Sequence, residues 1–209
     1  MNAPPGPLAA RIEEFERTAD PRLVLSGAAL TEAEQAMRAC TGEAADAAIW
    51  RLIGGLHLAR YRLDGSGGEA AVAGVFLAAA AVVDPGGMPE TTNVPSADAP
   101  QTWAELVDEV LHHVDPDTSP HVGLLLHALI RRALSTPSAQ VCDQLVESLL
   151  RETMEDPHPS WAPEALAILG GGLLRLFAAT GEPEALDDAV HVHLRAALGG
   201  PGGARRGRP

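Results

Sequence analysis

Residues 170–198 read GGGLLRLFAATGEPEALDDAVHVHLRAAL, and the chain carries an earlier version of the same stretch at 54–82. A shift of 116 positions, with no gap, sets Gly54 and Gly55 on Gly170 and Gly171, Leu58 on Leu174, Tyr61 on Phe177, Gly65 on Gly181, Ala73 on Ala189 and Ala80 on Ala196. Each copy reads as an apolar helix, a turn centred on glycine and a second, alanine-rich helix. One such hairpin cannot bury its apolar stripe alone, so hairpins of this kind stack into arrays. The repeat therefore predicts an all-α fold. Gly54-Gly55 inside a helix costs about 1 kcal/mol per glycine relative to alanine. Glycine at the same place in both copies predicts that another helix backbone passes close by.

The rest of the chain extends the pattern. A tail at 1–7 is rich in Pro and Gly, and the helical domain covers 8–198. Leu8, Ile12 and Phe15 recur at helical spacing, opposite Glu13, Glu14 and Glu16, until Asp20-Pro21 stops the helix. The words Phe15-x-x-Thr18-x-Asp20-Pro21 and Phe177-x-x-Thr180-x-Glu182-Pro183 match in register, which predicts a further hairpin at the N-terminus. Its second helix is expected at 30–40, with Thr31 and Glu34 as a capping box. Helices follow at 44–62 and 69–83, then an irregular loop at 85–100, then helices at 102–114, 121–134, 138–154, 161–179 and 184–198. Thr102 is a natural N-cap for the first helix after the loop. Residues 199–209 form a Gly/Pro/Arg tail.

The second helices share a small or apolar residue, a large residue four on, a small residue three further and a proline five further: Ala73, Leu77, Ala80, Pro85, and Ala189, His193, Ala196, Pro201. Leu145, Leu149, Glu152 and Pro157 give a looser version. This pattern resembles the second-helix signature of the tetratricopeptide repeat, and the longer phrase is similar to the divergent tetratricopeptide arrays common in actinobacterial proteins. The repeats here run about 45 residues rather than the usual 34. The resemblance implies a tetratricopeptide-like α-solenoid of about three to four hairpins that binds a protein or peptide.

Charge narrows the partner. The formal net charge is −13, and all 15 basic residues are arginine. Phosphate backbones and anionic membranes draw affinity from basic side chains, so neither is the expected partner. Aromatic residues are only 3% of the chain, too few for a base-stacking platform. Cys40 and Cys142 are sparse and lack CxxC spacing, which fits a reducing cytoplasm. The first residues lack the basic and apolar regions of a secretory signal. The apolar run at 70–83 is too short to span a bilayer comfortably.

In a stack of hairpins the first helices line the curved face, the default binding surface. The residues expected there are Arg60, Arg62, Arg131, Arg132 and Arg175, an arginine row suited to bidentate pairing with the carboxylates of an acidic peptide. The bland alternative is that these arginines pair with local Glu or Asp. Metal chemistry is not expected: His191 and His193 lie about 200° apart on a helix, and neither His112-His113 nor His121 with His127 has the HExxH spacing. His193 fills the slot of Leu77 in the twin copy, which predicts a packed imidazole. Gly170-Gly171-Gly172 lacks the GxxxxGK[ST] phosphate loop, and both cysteines read as inert apolar residues.

The reading that follows is a non-catalytic, cofactor-free and metal-free scaffold in the cytoplasm that binds a protein or peptide. A compact all-α enzyme or small-molecule binder, with a pocket between hairpins and 85–100 as its lid, is the alternative. Homo-oligomerisation through an exposed Ala/Leu face is a third possibility.

Overall fold

A computed structural model describes residues 6–40, 46–84, 102–117, 119–155 and 159–199. The expected loop at 85–100, most of the N-terminal tail and the C-terminal tail beyond 199 lie outside the described residues. Among the described residues there are ten α-helices and no strand. They are α1 Pro7–Thr18, α2 Pro21–Leu25, α3 Gly27–Arg38, α4 Asp46–Asp64, α5 Gly67–Val83, α6 Trp103–His113, α7 Pro120–Ala133, α8 Ala139–Glu155, α9 Ala162–Thr180 and α10 Pro183–Gly199. They belong to two compact units, Met1–Gln101 with Pro120–Leu125, and Thr102–Ser119 with Leu126–Pro209.

The 116-residue repeat is a repeat of structure. Both ends of α4 map onto both ends of α9 at that offset, and both ends of α5 onto those of α10. In each copy the first helix ends at a glycine in the left-handed region, Gly65 at φ 72° and Gly181 at φ 75°. The glycine amide donates to the carbonyl four residues back, Tyr61 at 2.8 Å and Phe177 at 2.7 Å. The N-terminal turn follows the same plan with alanine in the glycine's place: Ala19, at φ 53°, donates to the Phe15 carbonyl at 2.7 Å. The threonine of the shared word has one job in both places. Its hydroxyl donates back to the helix, Thr18 to Glu14 and Thr180 to Leu176, and accepts from the amide two residues on.

The atoms nearest the helix glycines belong to side chains, and at Gly54 the expected backbone is close as well, the Ala73 carbonyl oxygen lying 3.4 Å from where a Cβ would stand. A Cβ on Gly54 would lie 2.8 Å from Leu77 Cγ, and one on Gly170 would lie 2.5 Å from His193 Nε2. Gly55 and Gly171 face open space. The Gly54 site admits the branched end of Leu77, and the corresponding site in α9 admits the His193 imidazole, whose residue is nonetheless largely exposed.

In the first unit, α4 pairs with α5, and α1, α2 and α3 pack on α4. Trp50, Ile53, Leu56 and Phe76 are fully buried. Arg11 holds α1 to α3 through two bonds to Glu32, at 2.7 and 2.5 Å. The N-terminal helix pair differs from expectation. The helix foreseen at 30–40 begins at Gly27, so Thr31 lies inside it and its hydroxyl donates to the Gly27 carbonyl four residues back, not to a capping box. In the second unit, α9 pairs with α10, α8 packs on both, and α6 packs on α8. There the capping box is real: Thr102 accepts from the Glu105 amide and Glu105 accepts from the Thr102 amide. Among the described residues α9 alone has the length and hydropathy to cross a membrane. Its Leu166, Leu169, Leu173 and Leu176 are buried.

Candidate functional site

Helix ends leave carbonyls without intrahelical partners, and each end carries partial negative charge. Arginines from neighbouring helices serve the carboxyl ends of α2, α5, α7 and α8. Arg60 Nη1 donates to the Val24 carbonyl at 2.8 Å and Arg11 to Leu23 at 3.4 Å, both at the carboxyl end of α2. Arg51 donates to the carbonyl and the carboxylate of Asp84, the C-cap of α5. Arg175 donates to Leu134, the C-cap of α7, at 3.1 Å, and Arg195 to Thr153 in the last turn of α8.

Three of the five arginines foreseen as a peptide-binding row therefore have internal roles. Arg60 is largely buried and also donates to Glu69 at 2.7 Å. Arg175 caps α7. Arg132 lies over the Trp103 ring, 5.2 Å from its centroid, in cation–π contact. Arg131 is exposed and paired with Glu164 at 2.8 Å. Arg62 is exposed on α4. Only long-range contacts separate a capping arginine from a surface one, so spacing along the sequence could not.

The densest polar constellation lies inside the first unit. His57 Nδ1 donates to Glu69 at 2.5 Å, and His121 Nε2 lies 2.8 Å from His57 Nε2. Burial favours the neutral form of both rings, and with a neutral His57 donating through Nδ1 to the carboxylate, its Nε2 accepts from His121 Nε2. The Phe76 ring is parallel to that of His57 and tilted against that of His121. Burial pushes the His121 pKa down to about 3, helped by the nearby His57 and Arg60. For His57, burial also lowers the pKa and outweighs the opposing pull of Glu69. This is a core network that ties α4, α5 and the start of α7 together. His121 Nδ1 is its one buried atom without a hydrogen-bond partner.

The second unit holds a surface cleft of about 480 Å³ whose lining includes His112, His113, Asp115, Asp117, Glu152 and Trp161. Asp117 is already bonded to Ser160. Among the described residues no group of three or more His, Cys, Asp or Glu is placed to hold a metal ion. Cys142 is fully buried, and burial raises its thiol pKa, which disfavours the reactive thiolate.

The outer face of α10 is different in kind. Leu186, Val190, Leu194 and Leu198 recur every four residues and are exposed, the last three by 52%, 61% and 68%. Leu174 of α9, 42% exposed, joins Ala189, Val190, His193 and Leu194 around an apolar groove of about 380 Å³. The twin positions in α5 are Ala70, Gly74, Ala78 and Val82, all half-buried. Two hairpins of one geometry thus carry Ala70, Gly74 and Ala78 in one copy where the other has the larger, solvent-facing Leu186, Val190 and Leu194. The two copies already align at these positions, so the contrast was legible in the sequence once exposure was known.

Comparison of the chain with protein-family models, with curated proteins and with solved structures finds no match.

Proposed function

We infer that the chain is a non-catalytic protein-binding module of the cytoplasm, built as a tetratricopeptide-like array of helical hairpins, and that it docks its partner on the outer face of α10. The supporting observation is the aliphatic stripe Leu186, Val190, Leu194, Leu198 with Leu174 beside it. Burying a leucine side chain is worth about 1.5–3 kcal/mol, so a stripe of four held in water by a well-packed helix favours a covering surface. The internal roles of Arg60, Arg132 and Arg175 move the docking surface away from the first helices.

The test is Leu194→Glu, which charges the centre of the stripe at a side chain that supports no core. The wild-type chain and the variant are used as baits in the native cytoplasm, captured chains are identified by mass, and each is purified and titrated against both baits. A chain that binds the wild type and is lost by the variant supports the reading. Equal binding to both baits, or no captured chain and no self-association, overturns it.

A further inference from the structure

The structure assigns His57 Nε2 and His121 Nε2 as the two ligands of a cuprous ion, in a site inside the first unit and separate from the α10 docking face. The two nitrogens lie 2.8 Å apart, on residues only 3% and 1% exposed. Their ring centroids are 4.9 Å apart, longer than the nitrogen separation by nearly both ring radii, so the two nitrogens meet almost head-on. A hydrogen bond between them uses one lone pair and one proton along that line. A metal ion uses two lone pairs along the same line, and the surroundings of each ring allow it to offer one.

His57 is fixed in the tautomer that a ligand needs. Its Nδ1 donates to Glu69 Oε2, which leaves the lone pair on Nε2, and a carboxylate on the far nitrogen is the usual outer partner of a metal-bound imidazole. Glu69 is oriented in turn by Arg60, which donates to its other oxygen at 2.7 Å. His121 must shift its proton from Nε2 to Nδ1, and Nδ1 is the nitrogen that has no hydrogen-bond partner to oppose the shift. Both rings stay neutral, so binding gives up only the one bond between them.

The donor set selects the ion. Zinc takes four ligands and calcium or magnesium six or more, whereas no third His, Cys, Asp or Glu among the described residues joins this pair. Imidazole is a good copper ligand, and the cuprous ion, with its filled d shell, accepts two donors in line. Its single charge is also the least costly to bury, and the Glu69 carboxylate lies one imidazole away to offset it. At metal–nitrogen distances near 2 Å the two nitrogens must part by roughly 1 Å, shared between two side chains.

The test uses the full chain with Cys40→Ser, which removes a half-buried free thiol that competes for copper. Cuprous ion, kept reduced by ascorbate without oxygen, is titrated into the chain against a coloured cuprous chelator. One ion should bind per chain, with a dissociation constant below about 1 μM. X-ray absorption at the copper edge should show two nitrogen neighbours with the outer scattering of imidazole and no sulfur. His57→Gln and His121→Gln should each lose the ion. Glu69→Gln should weaken binding about tenfold, as loss of an outer partner does. Changing the exposed neighbours His112 and His113 together to Gln should leave binding and spectrum as they were.

Either change at His57 or His121 alters the core, so the absorption spectrum of the chain that keeps both, with His112 and His113 replaced, decides the matter without them. No bound ion, sulfur or a third protein ligand in that spectrum, or undiminished binding by His57→Gln overturns the assignment. Tighter binding of zinc than of copper by the same two histidines overturns the identity of the ion.

Discussion

Gly54 and Gly170 hold the same place in two copies of one hairpin, yet a methyl group added to each meets a different neighbour. At Gly54 it meets the branch point of Leu77, a buried residue, with the Ala73 carbonyl oxygen 3.4 Å away behind it. Overpacking of this kind costs about 1–3 kcal/mol, against about 1 kcal/mol gained in helix propensity. At Gly170 it meets the ring of His193, which borders solvent and can swing outward. Gly54→Ala should therefore lower stability by about 1 kcal/mol, and Gly170→Ala should leave it unchanged or raise it by up to about 1 kcal/mol. Urea unfolding of the two variants measures both, and a loss of equal size in each would show that His193 is as fixed as Leu77. Ala19 supports a second comparison. A left-handed backbone costs a non-glycine residue about 1–2 kcal/mol, while glycine gives back about 0.4–1 kcal/mol through the freer unfolded chain. Ala19→Gly should stabilise by about 0.5 kcal/mol on those figures. A melting temperature that falls would remove strain at this turn as an account of its geometry.

At the scale of the element, the helices were legible and their ties were not. Period, caps and prolines placed the helix ends within a few residues because each of those signals is local: Thr102 at the start of α6, Pro183 at the start of α10, Gly181 at the end of α9. The exceptions are α2, a short helix over Pro21–Leu25 that the sequence pattern did not reveal, and α3, where Thr31-x-x-Glu34 has the spacing of a capping box but lies one turn inside the helix. Spacing alone does not show where the preceding extended residue, Ser26, falls. The internal partners of Arg60, Arg132 and Arg175 were hidden for the opposite reason. Arg60 caps α2 from 36 residues away, a contact set by packing. Removing it leaves Oε1 of the half-buried Glu69, whose other oxygen keeps His57, and the Val24 carbonyl without this donor, a loss on the order of 2–4 kcal/mol. Arg60→Met should be that costly, while Arg62→Met, two residues on, should stay within about 0.5 kcal/mol as surface changes do. Denaturant midpoints of the pair decide the matter, and equal small effects would return Arg60 to the surface row.

For the whole molecule, acid should act first through buried histidines. His57, His121 and His127 are each held neutral, with burial the largest cause, and the carbonyl of Trp161 and the carboxylate of Glu164 only partly offset it at His127. A histidine in the unfolded chain takes up its proton near pH 6.5, whereas these take it up lower in the folded chain, His121 at about 3. Below that unfolded value the unfolded state binds more protons, so stability rises with pH across the window and is complete above it. Each histidine kept neutral contributes a slope of up to about 1.4 kcal/mol per pH unit. The carboxylates act lower in the range: Glu32, bonded to Arg11, and Asp108, bonded to Arg151 and Ser148, have lowered pKa values and lose their contribution only as pH falls below the usual carboxylate range. Urea unfolding should therefore show constant stability above about pH 7 and a fall beginning near pH 6.5, before the contributions of Glu32 and Asp108 are lost. His127→Gln should make the fall shallower by about one histidine's slope, because its ring no longer charges on unfolding. A profile that stays level down to about pH 5 would show that the histidines take up protons in place, and the neutral His57–His121 chain would have to be abandoned.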